Sequence, residues 1–110
     1  MYEVRKDVRC IDGRRVETFL RRIERGKCKL EVESGTTGFG EGSRVYLRIE
    51  NLGKGGFLMQ TVQDGRGRAT GIEVAAANGH ALMSLLEAMA FAFQSYDDQI
   101  SEAAGRNGDI

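Results

Sequence analysis

Residues 43–62, SRVYLRIENLGKGGFLMQTV, decide the fold that we expect for this chain. Their first half alternates apolar with polar side chains, and successive side chains of a β-strand point to opposite faces. One face would therefore belong to a core, whereas the other would carry an aromatic ring and charges. The apolar face would hold Val45, Leu47 and Ile49, and the open face would hold Tyr46, Arg48 and Glu50. A glycine-rich turn around Lys54 leads into an apolar strand that begins at Phe57, so the stretch predicts a β-hairpin.

The flanking segments extend this hairpin into a sheet. Residues 27–33 alternate apolar with charged side chains, which is typical of a half-buried strand. Asp64-Gly65 predicts a second tight turn, because these residues tolerate the positive φ that hairpin turns require. Short links predict an antiparallel meander, with residues 35–42 as a flexible glycine-rich loop. Its four strands are expected at residues 27–33, 43–52, 56–63 and 68–75.

A long amphipathic helix is predicted after the last strand. Asn78 is a favourable N-cap, because its side-chain oxygen can accept a hydrogen bond from an unpaired amide of the first turn. The helix is apolar over more than half of its circumference between Met89 and Phe93, which is more than one sheet face can bury. This excess indicates that a second helix covers the apolar surface. The simplest source of such a helix is a second copy of the chain in a homodimer. The expected dimer interface consists of Leu86, Met89, Phe93 and Tyr96.

The first quarter of the chain permits two interpretations. Residues 14–25 carry apolar side chains at i, i+3, i+4 and i+7, the spacing of one helix face, and Gly26 is a natural end. The arginines of this segment would cover the other face. The competing interpretation is a strand from Val16 to Ile23, although its alternation is poor. Residues 1–12 fit either a helix or an extended segment.

The predicted fold class is α+β: a four-stranded antiparallel curved sheet, a long C-terminal helix and an extra short N-terminal helix. We expect an N-terminal extension with the basic helix at residues 1–26, the main domain at 27–104 and a flexible tail at 105–110.

Charge and composition limit the possible partners. The formal net charge is zero, yet residues 1–29 hold ten Lys or Arg against five Asp or Glu, and residues 30–110 hold six against eleven. Nucleic-acid binding would therefore need a local basic patch, and the uneven split also suits self-association. No apolar run is long enough to span a membrane, and the start lacks an apolar signal region. A disulfide is conceivable, but we expect Cys10 and Cys28 to be free thiols in a reducing intracellular compartment.

The run Tyr46-Leu47-x-Ile49, followed by Lys54-Gly55-x-Phe57-Leu58, resembles the core hairpin of the Pur-alpha repeat. The resemblance extends over roughly residues 27–100 and is specific in the hairpin alone. It implies the fold of four strands and one helix that the wider Whirly and Pur group shares. It also implies binding of single-stranded DNA or RNA by a dimer. Two positions depart from the family pattern, since Gly56 replaces a turn arginine and Met59 stands where lysine is frequent.

The favoured function is thus single-stranded nucleic-acid binding by a homodimer, through an aromatic and basic sheet face. Bases would stack on Tyr46 while Arg48 and Lys54 neutralise phosphates, whereas Phe57 could equally pack inward. The residues assigned to this site are Tyr46, Arg48, Lys54, Phe57, Arg44, Arg66, Arg68 and Phe39. The alternative is a protein-interaction or assembly module of the same fold that binds no nucleic acid.

We expect no catalysis, no cofactor and no metal site. His80 is the single histidine, and the two cysteines are distant from it in sequence. The pattern Gly38-x-Gly40-x-Gly42 lacks the lysine and the helix that follow a phosphate-binding loop, so it is interpreted as a connector.

Overall fold

The computed structural model describes residues 4–108, with side chains described for residues 4–102. Over this range the chain forms six strands followed by one long helix, which confirms the α+β class. The strands are β1 (Arg5–Ile11), β2 (Arg14–Arg25), β3 (Cys28–Thr36), β4 (Val45–Asn51), β5 (Phe57–Gln63) and β6 (Ala69–Ala76), and the helix is α1 (Gly79–Gly108). The helix thus continues into the segment predicted to be a tail, whose residues 109 and 110 lie outside the described range.

The first four strands form an antiparallel sheet in the order β1-β2-β3-β4. The N-terminal helix predicted for residues 14–25 is therefore wrong, because these residues form β2, a strand paired on both edges. A central strand that is covered on both faces loses the simple alternation of a half-buried strand. Val16 and Leu20 are buried on one face, whereas Ile23 is buried on the other, and their combined spacing imitates a helix stripe.

The strands predicted after residue 27 are found close to their expected positions, but they do not form one sheet. The predicted hairpin of residues 43–62 is wrong, since β4 pairs with β3, and β5 pairs with β6 in a separate two-stranded sheet. The turn between β4 and β5 contains Gly55 and Gly56, whose φ values of 90° and 87° only glycine adopts readily. Beyond this turn the chain continues into β5 without pairing on the β4 edge.

The predicted C-terminal helix is confirmed, and its N-cap is the one expected. The side-chain oxygen of Asn78 accepts a hydrogen bond from the Ala81 amide at 3.0 Å. Small residues let α1 approach the sheet, because Ala88 and Ala92 pack directly on β2 and β3. Ser34 adds a hydrogen bond from its hydroxyl to the Ala92 carbonyl at 3.3 Å. The core consists of Ile23, Leu30, Val32, Ala88 and Ala92, with Cys28, Ile49, Phe57, Met59 and Phe91 packed against it.

The molecule is expanded for its length. Its radius of gyration is 16.0 Å, whereas a compact domain of this size has about 13 Å. Its principal extents are 50 × 43 × 21 Å. The β5–β6 hairpin accounts for part of this spread, because only its base, near Phe57 and Met59, packs on the core. In the part of the chain that the structure describes, no helix has the length and apolarity needed to cross a membrane.

Candidate functional site

The sheet face opposite α1 holds a buried carboxylate between two arginines. The Glu33 side chain is 0 % exposed. Arg9 donates two hydrogen bonds to it, from Nε at 2.9 Å and from Nη2 at 2.6 Å. Arg48 Nε donates at 3.0 Å and the Thr18 hydroxyl at 2.6 Å. Each of the four strands supplies one member, so these residues, named here the Glu33 cluster, join the whole sheet.

The electrostatics of the Glu33 cluster favour the ionised carboxylate. Burial alone would raise the pKa of Glu33, but the hydrogen bonds from Arg9, Thr18 and Arg48 outweigh burial and lower this pKa from 4.5 to about 2. The hydrogen bond to Glu33 correspondingly raises the pKa of Arg9. At neutral pH Glu33 is therefore a buried carboxylate whose charge is compensated by Arg9 and Arg48, and removing either arginine would leave that buried charge less compensated.

Arg48 is shared with two further carboxylates. Its Nη1 donates to Glu50 at 2.7 Å and its Nη2 donates to Glu31 at 3.2 Å. The hydrogen bond to Glu50, with those to Glu33 and Glu31, raises the pKa of Arg48. Arg5 also donates to Glu31, at 2.5 Å. The guanidinium that was predicted to neutralise a phosphate is thus already paired with three carboxylates of its own chain.

The predicted orientation of β4 is confirmed. Ile49 packs on the core beneath α1, while Tyr46 and Arg48 lie on the opposite face of the sheet. Tyr46 is half-buried, and the Arg9 guanidinium carbon lies 5.6 Å from its ring centroid, within cation–π range. Val45 and Leu47 share the face of Ile49 but are 55 % and 47 % exposed, so of the three residues predicted to reach the core only Ile49 packs on it.

The other two aromatic residues of the predicted site differ in burial, because Phe57 is partly buried and Phe39 is 48 % exposed. Phe57 contacts the core, which resolves its open assignment in favour of inward packing. Phe39 lies in the β3–β4 loop, and its ring centroid is 6.4 Å from that of Tyr96 on α1. Arg44, at the end of the same loop, is exposed and lies 3.7 Å from an Asp12 carboxylate oxygen through its Nε.

Arg66 and Arg68 lie at the exposed turn of the β5–β6 hairpin. Their backbone amides donate to the Asp64 carboxylate at 2.8 and 3.0 Å, which fixes the turn. Nε of Arg68 also lies 4.0 Å from an Asp64 carboxylate oxygen. The residues predicted to bind nucleic acid are therefore distributed over the sheet face, the β3–β4 loop, the hairpin tip and the β4–β5 turn.

Lys54 belongs to a separate basic cleft. This cleft has a volume of about 590 Å³ and lies between the β2–β3 turn, the β4–β5 turn and the first turn of α1. Its charged walls are Arg25, Lys27 and Lys54, with His80 beside them. Arg25 is also paired with Glu87, at 3.1 Å. The basic cleft thus brings together cations that are distant in the sequence.

Helix α1 also exposes a line of apolar side chains. Leu82, Leu86, Met89 and Phe93 follow one line along α1, named here the α1 stripe, and all four are exposed. The stripe borders a cleft of about 370 Å³ between β4, the β5–β6 hairpin and α1. This apolar cleft is lined by Leu47, Ile49, Met59, Gln60, Thr61, Ile72, Glu73, Val74, Leu85 and Met89. Of the predicted dimer-interface residues, Leu86, Met89 and Phe93 belong to the stripe, and Tyr96 is half-buried beside Phe39.

Comparison of the chain with protein-family models, curated proteins and solved structures finds no match. The resemblance to the Pur-alpha repeat therefore stays a prediction. Within the residues whose side chains are described, no group of three or more His, Cys, Asp or Glu residues is arranged to hold a metal ion. Cys10 and Cys28 are both free thiols.

Sequence reasoning missed the Glu33 cluster. Glu31 and Glu33 alternate with apolar residues in β3, and this pattern was interpreted as a solvent-facing side of a half-buried strand. A signal was nevertheless present, because Arg5 and Arg9 are separated by an even number of positions in β1, as Glu31 and Glu33 are in β3, so each pair shares one face of its strand. Only the β1-β2-β3-β4 order, which brings β1 and β4 to either side of the central pair, shows that these charges meet.

Proposed function

We propose that this chain is a self-associating interaction domain that forms a homodimer through the α1 stripe. One observation carries the proposal: four large apolar side chains in line on a helix stay exposed beside an apolar cleft. Monomeric soluble proteins rarely expose contiguous apolar patches of more than a few hundred Å². A partner that covers the stripe removes this surface from water.

The charge distribution on the sheet supports this choice over nucleic-acid binding at the sheet face. The arginines Arg9 and Arg48 are paired with the buried Glu33 and its neighbours. A phosphate that approached Arg48 would compete with three carboxylates and would meet the repulsion of Glu50, which is exposed. The face therefore offers a phosphate backbone little excess positive charge.

The decisive variant is Phe93→Asp, assayed by size-exclusion chromatography with light scattering. Phe93 is 69 % exposed in the protomer, so its replacement leaves the protomer fold unchanged. In a dimer the new carboxylate would be buried without a partner, so we expect dissociation with an unchanged far-UV circular dichroism spectrum.

The matched control is Met83→Asp. Met83 is 52 % exposed on the same helix but lies roughly 100° around it from the stripe. We expect this variant to retain the oligomeric state of the wild type. Equal disruption by both variants, or by neither, would contradict an interface centred on the stripe.

A second candidate function is single-stranded nucleic-acid binding, and the basic cleft is the observation that favours it. Three cations from two turns line one concave surface: Arg25 and Lys27 at the β2–β3 turn, and Lys54 at the β4–β5 turn. A phosphate backbone that follows a positively charged groove is typical of single-strand binding. Lys54 belongs to both the predicted site and this cleft. The Tyr46 ring could add stacking only where Arg9 leaves it accessible.

Fluorescence anisotropy with labelled oligo-dT, oligo-U and a duplex at several salt concentrations tests this second function. Each cation that neutralises a phosphate contributes about −0.7 to the log–log salt slope on single strands. Lys54→Ala should flatten the slope by that amount, whereas Arg66→Ala at the hairpin tip serves as the control. Absence of salt-dependent binding by the wild type would exclude the function at this cleft.

A further inference from the structure

We infer that the α1 stripes of two copies of this chain pack on each other and that the β5–β6 hairpin of each copy packs beside the α1 helix of the other, so that the apolar cleft between hairpin and α1 becomes part of the dimer interface. The inference rests on the proposed self-association and adds to it the element that completes the interface.

The hairpin requires a covering surface that its own chain supplies only in part. A two-stranded hairpin without a third strand or a packed layer is marginally stable in water. Within residues 4–108, β5 and β6 pair only with each other. The face that begins with Phe57 and Met59 on the core continues to Val74 and Ile72, and Ile72 is 81 % exposed. The same apolar face thus leaves the core and extends over open space beside α1.

The stripe has the symmetry that a second copy needs. Its residues Leu82, Leu86, Met89 and Phe93 are separated by four, three and four positions, and this spacing is the same in both directions. An interface of two identical chains around a two-fold axis is self-complementary. Two antiparallel α1 helices would therefore place Leu82 opposite Phe93 of the second copy, and Leu86 opposite its Met89. Alternating spacings of three and four residues are also typical of helices that pack knobs-into-holes, as in coiled coils.

The position of the cleft connects the stripe with the hairpin. Leu85 and Met89 line the cleft from the helix side, and Ile72 and Val74 line it from the hairpin side. A helix laid along the stripe would therefore be adjacent to the hairpin face. By the two-fold symmetry, the same contact would form twice, once with each hairpin.

The exposed area matches that of a stable dimer. The stripe, Val45 and Leu47 of β4, and Ile72 and Val74 of the hairpin together form eight large apolar residues that are exposed. With each about half exposed, they present roughly 400–500 Å² of apolar surface. A stable interface buries about 800 Å² per partner, of which about 60 % is apolar. The apolar cleft is lined by one charged residue, Glu73. Its lining is therefore compatible with contact to the uncharged stripe of the second copy.

The test compares two aspartate substitutions on the same hairpin by sedimentation equilibrium. Ile72→Asp alters the face turned toward the cleft, whereas Leu58→Asp alters the reverse face, on which Leu58 is 62 % exposed. Neither side chain is buried in the protomer, so both variants should fold, which circular dichroism verifies. We expect Ile72→Asp to weaken the dimer at least about ten-fold, because two carboxylates per dimer would be buried unpaired. Leu58→Asp should leave the dissociation constant unchanged.

The outcomes separate this inference from the proposed function. A dimer that Phe93→Asp dissociates but Ile72→Asp leaves intact would overturn the role of the hairpin and keep the stripe as the interface. Equal weakening by Ile72→Asp and Leu58→Asp would also overturn it, because the effect would not depend on the face. A wild-type chain that stays monomeric would overturn both.

Discussion

Replacing Glu33 by glutamine tests the energetic role of the Glu33 cluster. The change keeps the size of the side chain but removes the charge that Arg9 and Arg48 share in a fully buried site. The pKa of Glu33 is lowered from 4.5 to about 2. At about 1.4 kcal/mol per unit of pKa, this difference corresponds to roughly 3 kcal/mol of stability at neutral pH. Removing one partner of a fully buried ion pair typically costs about 3–5 kcal/mol. Since the Arg9 and Arg48 side chains are 37 % and 29 % exposed, solvent screening places the expected loss at or below about 3 kcal/mol.

The sign of the pH dependence follows from the direction of the pKa shift. A carboxylate whose pKa is lower in the folded state stabilises the fold fully above its unfolded pKa, near 4.5, and this stabilisation is lost as pH falls toward 2. Urea unfolding at fixed protein concentration, followed by circular dichroism, would therefore show a difference between wild type and Glu33→Gln of roughly 3 kcal/mol at pH 7. The difference should shrink steadily between pH 4.5 and pH 2.

Glu17→Gln is the matched control for this experiment. Glu17 is an exposed glutamate that lies 3.6 Å from Lys6, and such surface pairs contribute at most about 1 kcal/mol. A Glu33→Gln effect that is as small as that of Glu17→Gln would refute the role of the cluster. A large effect that does not change with pH would refute its electrostatic origin.

Three further predictions concern the protomer. Gly35→Ala should destabilise it by about 1–3 kcal/mol in urea unfolding, because a Cβ atom there would lie 2.9 Å from Thr18 Cγ2; an unchanged midpoint would contradict this packing. Asn78→Ala should cost about 1 kcal/mol through loss of the N-cap, and Asn78→Ser should restore most of it. Alkylation without reductant should modify both Cys10 and Cys28, which are free thiols, and mass spectrometry of a disulfide-linked chain would oppose this expectation.

Local patterns predicted the parts of the fold that depend on local chemistry. The orientation of β4 followed from strict alternation around Ile49, and the start of α1 followed from the capping chemistry of Asn78. The positions of β3 to β6 also followed from alternation and turn residues. These features require no knowledge of distant segments, which is why the sequence was sufficient for them.

Long-range pairing was not predictable in the same way. β2 was interpreted as a helix because burial on both faces hides the two-residue period. The pairing of β4 with β5 was wrong because the glycines at 55 and 56 permit either a tight hairpin or a change of direction. Missing the long-range pairing changed the interpretation of the candidate site most. Arg48 was expected to be free to bind a phosphate, but Glu31 and Glu33 of the neighbouring strand neutralise its charge.

The central claim is self-association, and sedimentation equilibrium of the wild-type chain at micromolar concentration tests it most directly. The chain has a mass of 12.1 kDa. Two copies would give about 24 kDa, and we predict this mass together with a transition toward the monomer on dilution. A single species of 12.1 kDa across the whole concentration range would contradict the account, because the α1 stripe and the apolar cleft would then face water in the native protein.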